Sequence, residues 1–203
     1  MGISDLLLKY ITDKNHGTIK NIYNNLDDRI VVENAESPIG HTYGKSYQEI
    51  FDNFDKDAEI NFMEIGIQRG GSVMAWREYF TNANIYGIDI VDVILPEYRR
   101  DDVTYIFKDI NDPSVKEELK DIEFDIIIDD GSHRLWDITP MVKTYLPQLK
   151  KGGFMVIEDC LQPEAYLRAI KEIVPEGYIV TPRDLRHEMP NGGYNYLIVI
   201  QRL

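Results

Sequence analysis

A chain of 203 residues, 43% hydrophobic and 28% charged, is long enough to bury a core without covalent staples. Its single cysteine, Cys160, excludes an internal disulfide framework and fits a reducing compartment. No apolar run approaches the ~18 residues of a membrane span, and Met1-Gly2-Ile3-Ser4-Asp5 lacks the regions of a signal peptide, so a cytoplasmic location and no membrane partner are expected. The net charge of −13 repels a polyanion, which argues against a nucleic-acid partner and favours a small neutral molecule or a cationic cofactor.

Taken along the chain, a polar part, residues 1–58, precedes an alternating β/α body, residues 59–203, the whole reading as one domain. Leu6, Leu7, Tyr10 and Ile11 give helical spacing over Ser4–Thr12. Residues 15–40, rich in Asn, Asp and Gly, read as a long loop or a lid over the acceptor. Ser46–Asn53 reads as helix again. In the body, strands are predicted at Ile60–Ile65, Asn84–Ile90, Val103–Phe107, Phe124–Asp129, Phe154–Ile157, Tyr178–Thr181 and Tyr194–Gln201. Helices are predicted at Ser72–Phe80, Pro113–Leu119 (with Asp112 as cap), Leu135–Leu149 and Pro163–Val174. Lys150-Lys151-Gly152-Gly153 is read as the stop of the third of these, and Asn191-Gly192-Gly193 as the turn into the last strand. This alternation predicts an α/β fold with a mostly parallel seven-stranded sheet, helices on both faces, and an antiparallel last strand that follows without a crossover helix. Ligands of such sheets bind beyond the carboxyl ends of the strands.

The chemistry-bearing residues fall at those ends. After the first strand comes Glu64-Ile65-Gly66-Ile67-Gln68-Arg69-Gly70-Gly71-Ser72. Its glycines permit close backbone approach, but the spacing matches neither a dinucleotide loop nor a P-loop. An acid two residues before the first glycine would repel a phosphate and suit a sulfonium or ammonium group. Asp89 ends the second strand, about twenty residues on, where an acid accepts from ribose hydroxyls, and Asp109 follows the third, placed for an adenine amino group. The set fits a nucleoside without phosphates, S-adenosylmethionine (SAM) rather than a nicotinamide dinucleotide. The alternative for each element is a tight turn or a helix cap.

The fourth strand runs into Asp129-Asp130-Gly131-Ser132-His133 and the fifth into Glu158-Asp159. Neighbouring strands would gather Asp130, Glu158 and Asp159, whose mutual repulsion a hard divalent cation relieves, Mg²⁺ (or Mn²⁺) with its oxygen preference fitting best. Three residues past Asp130, His133 has an intrinsic pKa of ~6.5 and suits a general base. Turn and capping roles are the plain alternatives for each residue singly. Tyr98-Arg99-Arg100, Trp136 and Arg183–His187 are candidates for an acceptor wall, against surface or core roles.

Four segments together, Glu64–Ser72, Tyr86-Gly87-Ile88-Asp89-Ile90, Asp129–His133 and Gly152–Asp159, resemble the macrocin/mycinamicin sugar O-methyltransferases over about residues 60–160. Upstream, Thr12-Asp13-Lys14 and His41-Thr42-Tyr43 resemble pieces of that family's N-terminal segment. The resemblance implies a class I, Rossmann-like methyltransferase fold and a SAM- and Mg²⁺-dependent O-methyltransferase acting on a sugar hydroxyl, of deoxysugar (rhamnose) type, on a glycan or glycosylated small molecule. It puts the metal on Asp130, Glu158 and Asp159 and the base on His133. It sets SAM against Glu64, Gly66, Gly70, Ser72, Asp89 and Asp109, with Asp129 near the methionine end. A homo-oligomer is left open. The residues alone reach an alcohol or phenol acceptor, so a catechol-type O-methyltransferase stays open as an alternative, as does a non-catalytic SAM-binding module.

Overall fold

The computed structural model describes residues 1–10, 12, 15–17, 21–25, 28–31, 39–188 and 195–203, with the backbone alone between 15 and 40. A seven-stranded sheet carries the fold. Its strands are β5 (Asn61–Ile65), β6 (Asn84–Asp89), β7 (Val103–Phe107), β8 (Phe124–Asp129), β9 (Leu149–Ile157), β10 (Tyr178–Asp184) and β11 (Tyr196–Arg202), in the order β10-β11-β9-β8-β5-β6-β7. β5 pairs in parallel with β6 and β8, β6 with β7, and β8 with β9. β11 lies antiparallel to both β9 and β10, as its missing crossover helix predicted. The order reverses at β5, so the carboxyl ends of β5, β6 and β8 flank the crevice where ligands of open α/β sheets sit.

Side chains alternate across this sheet and build two cores. Phe62, Ile126, Ile128 and Val156 face one way; Met63, Ile127, Met155 and Ile157 face the other. That two-sided burial is why Ile126-Ile127-Ile128 is an unbroken apolar run. The first core includes α3 (Gly71–Tyr79) and two helices from the polar N-terminal part, α1 (Ile3–Lys9) and α2 (Gly44–Phe51). The second takes α4 (Pro113–Leu119), α5 (Leu135–Tyr145) and α6 (Pro163–Ile173). Asp112 caps α4, accepting from Ser114 N at 2.7 Å. Among the described residues no helix is long and apolar enough to cross a membrane.

Two expectations are corrected. The long loop at 15–40 contains four short strands, β1 (Asn15–Gly17), β2 (Asn21–Asn25), β3 (Asp28–Val31) and β4 (Ile39–Thr42). β2 pairs antiparallel with β3, and β1 with β4 through Asn15↔Thr42 and Gly17↔Ile39. Asn and Asp dominate their composition and hide the β-formers Ile22-Tyr23 and Ile30-Val31 from a reading by alternation. The second correction is at α5, which ends at Tyr145 before a 3₁₀ turn containing Pro147; Lys150-Lys151-Gly152-Gly153 belongs to β9. There Lys150 pairs with Asp125 at 2.8 Å, beside the register shift between β8 and β9 that an apolar pattern does not announce. The polar part before residue 58 shares the first core: Leu6, Leu7, Tyr47 and Phe51 are buried with Phe62 and Trp76. The turn at Asn191-Gly192-Gly193 lies outside the described residues.

The seating of α2 sets up the site. Phe51 meets Trp76, Phe62 and Phe80 with ring centroids at 5.4, 5.9 and 5.0 Å, and Tyr47 meets Trp76 at 5.2 Å. Burying a ring of this size is worth about 1.5–3 kcal/mol, and aromatic pairing adds to it.

Candidate active site

A cleft of about 630 Å³ opens at the carboxyl ends of β5, β6, β7 and β8, a volume suited to a nucleoside-sized ligand. Gly66, Ser72, Asp89, Asp109, Asp129, Asp130 and His133 line it, seven of the eleven residues singled out in the sequence. Gly66 adopts φ +84, and a β-carbon there would meet the Asp130 backbone, so only glycine fits this turn. Asp89 fixes the loop from the neighbouring strand, accepting from Gln68 N at 2.8 Å and Val91 N at 3.3 Å. Asp109 accepts from Asn111 N at 2.8 Å, and Asp129 from Gly131 N at 3.3 Å.

Glu64 stands elsewhere. It is fully buried behind the loop, not in the cleft wall, and accepts from Ser72 Oγ and Trp76 Nε1, each at 2.8 Å. These bonds tie the start of α3 to β5 and thereby shape the loop between them. Gly70, at φ +87 just ahead of α3, likewise makes the turn without lining the cleft.

Tyr10 and Thr12, which sequence reasoning left outside the donor site, line the cleft as well. A β-carbon on Gly71 would lie 2.7 Å from the Tyr10 carbonyl oxygen, so the glycine pair after Arg69 also admits the N-terminal segment. Asp13 and Lys14 lie outside the described residues. Tyr98 joins the wall too, whereas Arg99 and Arg100 pair with Asp92 and Asp102. Trp136 is 70% exposed, and Arg183 pairs with Glu49 at 2.8 Å.

The acidic centre adjoins the cleft at the ends of β8 and β9. Ligand atoms of Asp130, His133 and Asp159 lie within 4.8 Å of one another. His133 Nε2 is 3.8 Å from both Asp130 Oδ1 and Asp159 Oδ2. His133 and Asp159 are left-handed, at φ +54 and φ +52, which for non-glycine residues costs about 1–3 kcal/mol each and marks a constrained geometry. The His133 carbonyl accepts from Tyr166 Oη at 2.8 Å, which helps hold the turn. Glu158, 1% exposed, is outside that trio of mutually close atoms; its Oε1 accepts from Tyr47 Oη.

The N-terminal part reaches this centre as well. Tyr43 Oη donates to Asp159 Oδ1 at 2.5 Å, and His41 Nε2 is 3.3 Å from Asp159 Oδ2. The His41 and Tyr43 rings stack with centroids 4.7 Å apart. Burial raises the Asp159 carboxyl, but the hydrogen-bonded His41, with Tyr43 and His133, outweighs that and holds it below its ordinary value. Burial, reinforced by the Asp159 and Glu158 charges, keeps the Tyr43 hydroxyl protonated; burial and Glu158 do the same for Tyr47. Next in the chain, Cys160 is 1% exposed, and burial with the nearby carboxylates pushes its thiol up. The spacing Tyr43-x-x-x-Tyr47, one helical turn, was the available signal for Tyr47.

Oxygen-rich, net acidic and partly buried, the cluster Asp130, His133 and Asp159 fits a hard divalent cation.

Known proteins resemble the chain in the same region. A family model described as FtsJ-like methyltransferase matches residues 46–173. The 8-demethyl-8-alpha-L-rhamnosyl tetracenomycin-C 2'-O-methyltransferase of Streptomyces olivaceus is 34% identical over 128 residues, 59% of this chain and 33% of that protein. Demethylmacrocin O-methyltransferase of Streptomyces fradiae is also 34% identical over 128 residues, 59% of this chain and 32% of that protein. The chain thus spans about a third of the length of these curated relatives. Among solved structures, MycE methyltransferase from the mycinamycin biosynthetic pathway, in complex with Mg, SAH and mycinamycin VI, superposes with a TM-score of 0.68 at 21% identity, covering 100% of this chain and 54% of that one. A structure described as a putative rRNA-methylase from Clostridium thermocellum superposes at 0.64 with 16% identity, covering 81% and 97%. At such identities the likeness extends to the fold.

Proposed function

We propose, from the premise that the chain belongs to the FtsJ-like methyltransferase family, that it is a SAM-dependent, divalent-metal-dependent O-methyltransferase. Its acceptor is a hydroxyl of a sugar, of deoxysugar type, on a glycosylated small molecule. The observation that carries the reading is the meeting of Asp130, His133 and Asp159 at the mouth of the cleft that the Gly66 loop, Asp89 and Asp109 also line. The relatives named for rhamnosyl and macrocin substrates support the acceptor class. Net charge of −13 weighs against the RNA acceptor that the fold also accommodates.

When bound, SAM supplies an electrophilic methyl group and the cation a Lewis acid that lowers the pKa of the acceptor hydroxyl. The chain's residues divide the remaining work. Asp130, Glu158 and Asp159 would hold the cation. Asp89 and Asp109 would accept from the ribose hydroxyls and the adenine amino group, and Asp129, 6% exposed in the cleft wall, would stand near the methionine end. His133 would serve as the base that takes the acceptor's hydroxyl proton, and the cleft loops would hold acceptor oxygen and methyl donor in line. A second reading makes His133 a metal ligand, since its Nε2 lies 3.8 Å from a carboxylate oxygen of each of Asp130 and Asp159.

The test is incubation with SAM, with and without chelator, against rhamnosyl glycosides, catechols and RNA, with methylated product read by mass spectrometry. Expected is methylation of the glycosides, abolished by chelator and restored by Mg²⁺. Metal-free turnover at an undiminished rate refutes the metal assignment, and a preference for catechols or RNA refutes the acceptor.

A further inference from the structure

We propose that Tyr43 and Tyr47 are positioning residues that set the affinity of the acidic centre for a divalent cation, each holding one carboxylate from α2. This rests on the reading of Asp130, Glu158 and Asp159 as metal ligands.

Residues four apart on a helix lie on one face, so the two phenols present their hydroxyls side by side. Consecutive residues of an extended strand point to opposite sides. The left-handed backbone of Asp159, φ +52, breaks that alternation after β9, and Glu158 and Asp159 both meet the same face of α2. The pairing is one to one: Tyr43 Oη on Asp159 Oδ1, Tyr47 Oη on Glu158 Oε1. With Oδ1 taken by Tyr43, Oδ2 is the Asp159 oxygen that faces the two imidazoles, His41 at 3.3 Å and His133 at 3.8 Å. A hydroxyl donor fixes a carboxylate's orientation and spreads its charge without supplying a competing ligand.

The rings themselves serve another purpose. Both are 0% exposed, and Tyr47 packs on Trp76 and Phe51 in the aromatic core. Hydroxyl and ring are thus separable: a phenylalanine keeps the packing and removes only the donor.

The experiment titrates Mn²⁺ into the full chain, purified with chelator and dialysed, and follows it by calorimetry and by the Mn²⁺ electron paramagnetic resonance spectrum. Fold is checked by circular dichroism and by S-adenosylhomocysteine binding. Tyr43→Phe and Tyr47→Phe are each expected to weaken Mn²⁺ binding about 10-fold, and the double variant on the order of 100-fold, the range found for partners that orient metal ligands. S-adenosylhomocysteine affinity is expected to stay unchanged. Wild-type Mn²⁺ affinity in the folded variants overturns the positioning role and leaves the metal reading standing. A wild-type chain that binds no Mn²⁺ overturns both. If Tyr47→Phe fails to fold, Tyr43→Phe decides alone.

Discussion

A β-carbon built on Gly66 would lie 2.1 Å from the carbonyl oxygen of Asp130. The loop after β5 and the acidic end of β8 are therefore in backbone contact, reinforced by the Asp130 N to Ile65 O hydrogen bond at 2.8 Å. The cleft and the acidic centre thus share one wall of backbone.

Gly66→Ala tests that contact. The added methyl must displace backbone and hold a left-handed φ, which together cost about 2–4 kcal/mol. The thermal midpoint should fall, and affinity for S-adenosylhomocysteine and for Mn²⁺ should fall together. Loss of the first with the second intact would mean that the shared wall does not couple the two sites.

His133→Ala separates the two roles open to the imidazole. As general base its loss lowers kcat about 10²–10⁴-fold, with S-adenosylhomocysteine and Mn²⁺ affinities retained. A fall in Mn²⁺ affinity in calorimetry would move His133 into the ligand set.

Asn195 is fully buried and joins distant parts of the chain. Its Oδ1 accepts from Thr42 N at 3.1 Å, and its Nδ2 donates to Thr42 Oγ1 and the Leu185 carbonyl, each at 2.7 Å. Asn195→Ala leaves buried partners unmatched at about 1–3 kcal/mol apiece. A reduced thermal midpoint in calorimetry is expected, together with weaker Mn²⁺ binding, because His41 and Tyr43 flank Thr42 directly in the chain. Wild-type stability in the variant would show that water replaces the amide.

The sheet and the cleft were legible in the sequence because their signals are local. Ile126-Ile127-Ile128 announces a strand buried on both faces, and Gly66, Asp89 and Asp130 each follow a strand whose direction topology dictates. What was not legible depends on long-range packing. Nothing near Glu64 in sequence shows that Ser72 and Trp76 draw it behind the loop, since Trp76 comes round only after α3 has formed. Tyr43 and Tyr47 precede their acids by 116 and 111 residues. The strands within 15–40 were hidden by asparagine and aspartate, whose turn preference outweighs the few β-formers beside them.

Tyr145 contributes to the alkaline limb of stability. Its hydroxyl donates to the Ile110 carbonyl at 2.9 Å, and burial, aided by the Asp109 charge, pushes its pKa up to about 12. A raised value stabilises the fold fully below the unfolded value near 10, and that contribution is lost as pH rises through about 12. The stability difference between wild type and Tyr145→Phe should thus be constant up to pH ~10 and shrink by roughly 2 kcal/mol on approach to pH ~12. Urea unfolding at stepped pH measures it; a difference independent of pH throughout would contradict the assignment.

The chain's single thiol follows Asp159 directly and is sealed from solvent in a protonated, unreactive state. Alkylating reagents can reach Cys160 only when the end of β9 breathes open, so the rate at which the sulfur is labelled is a built-in clock for that opening. Any ligand that clamps the neighbouring carboxylates should slow the clock, which gives a way to watch the site being occupied without following turnover at all.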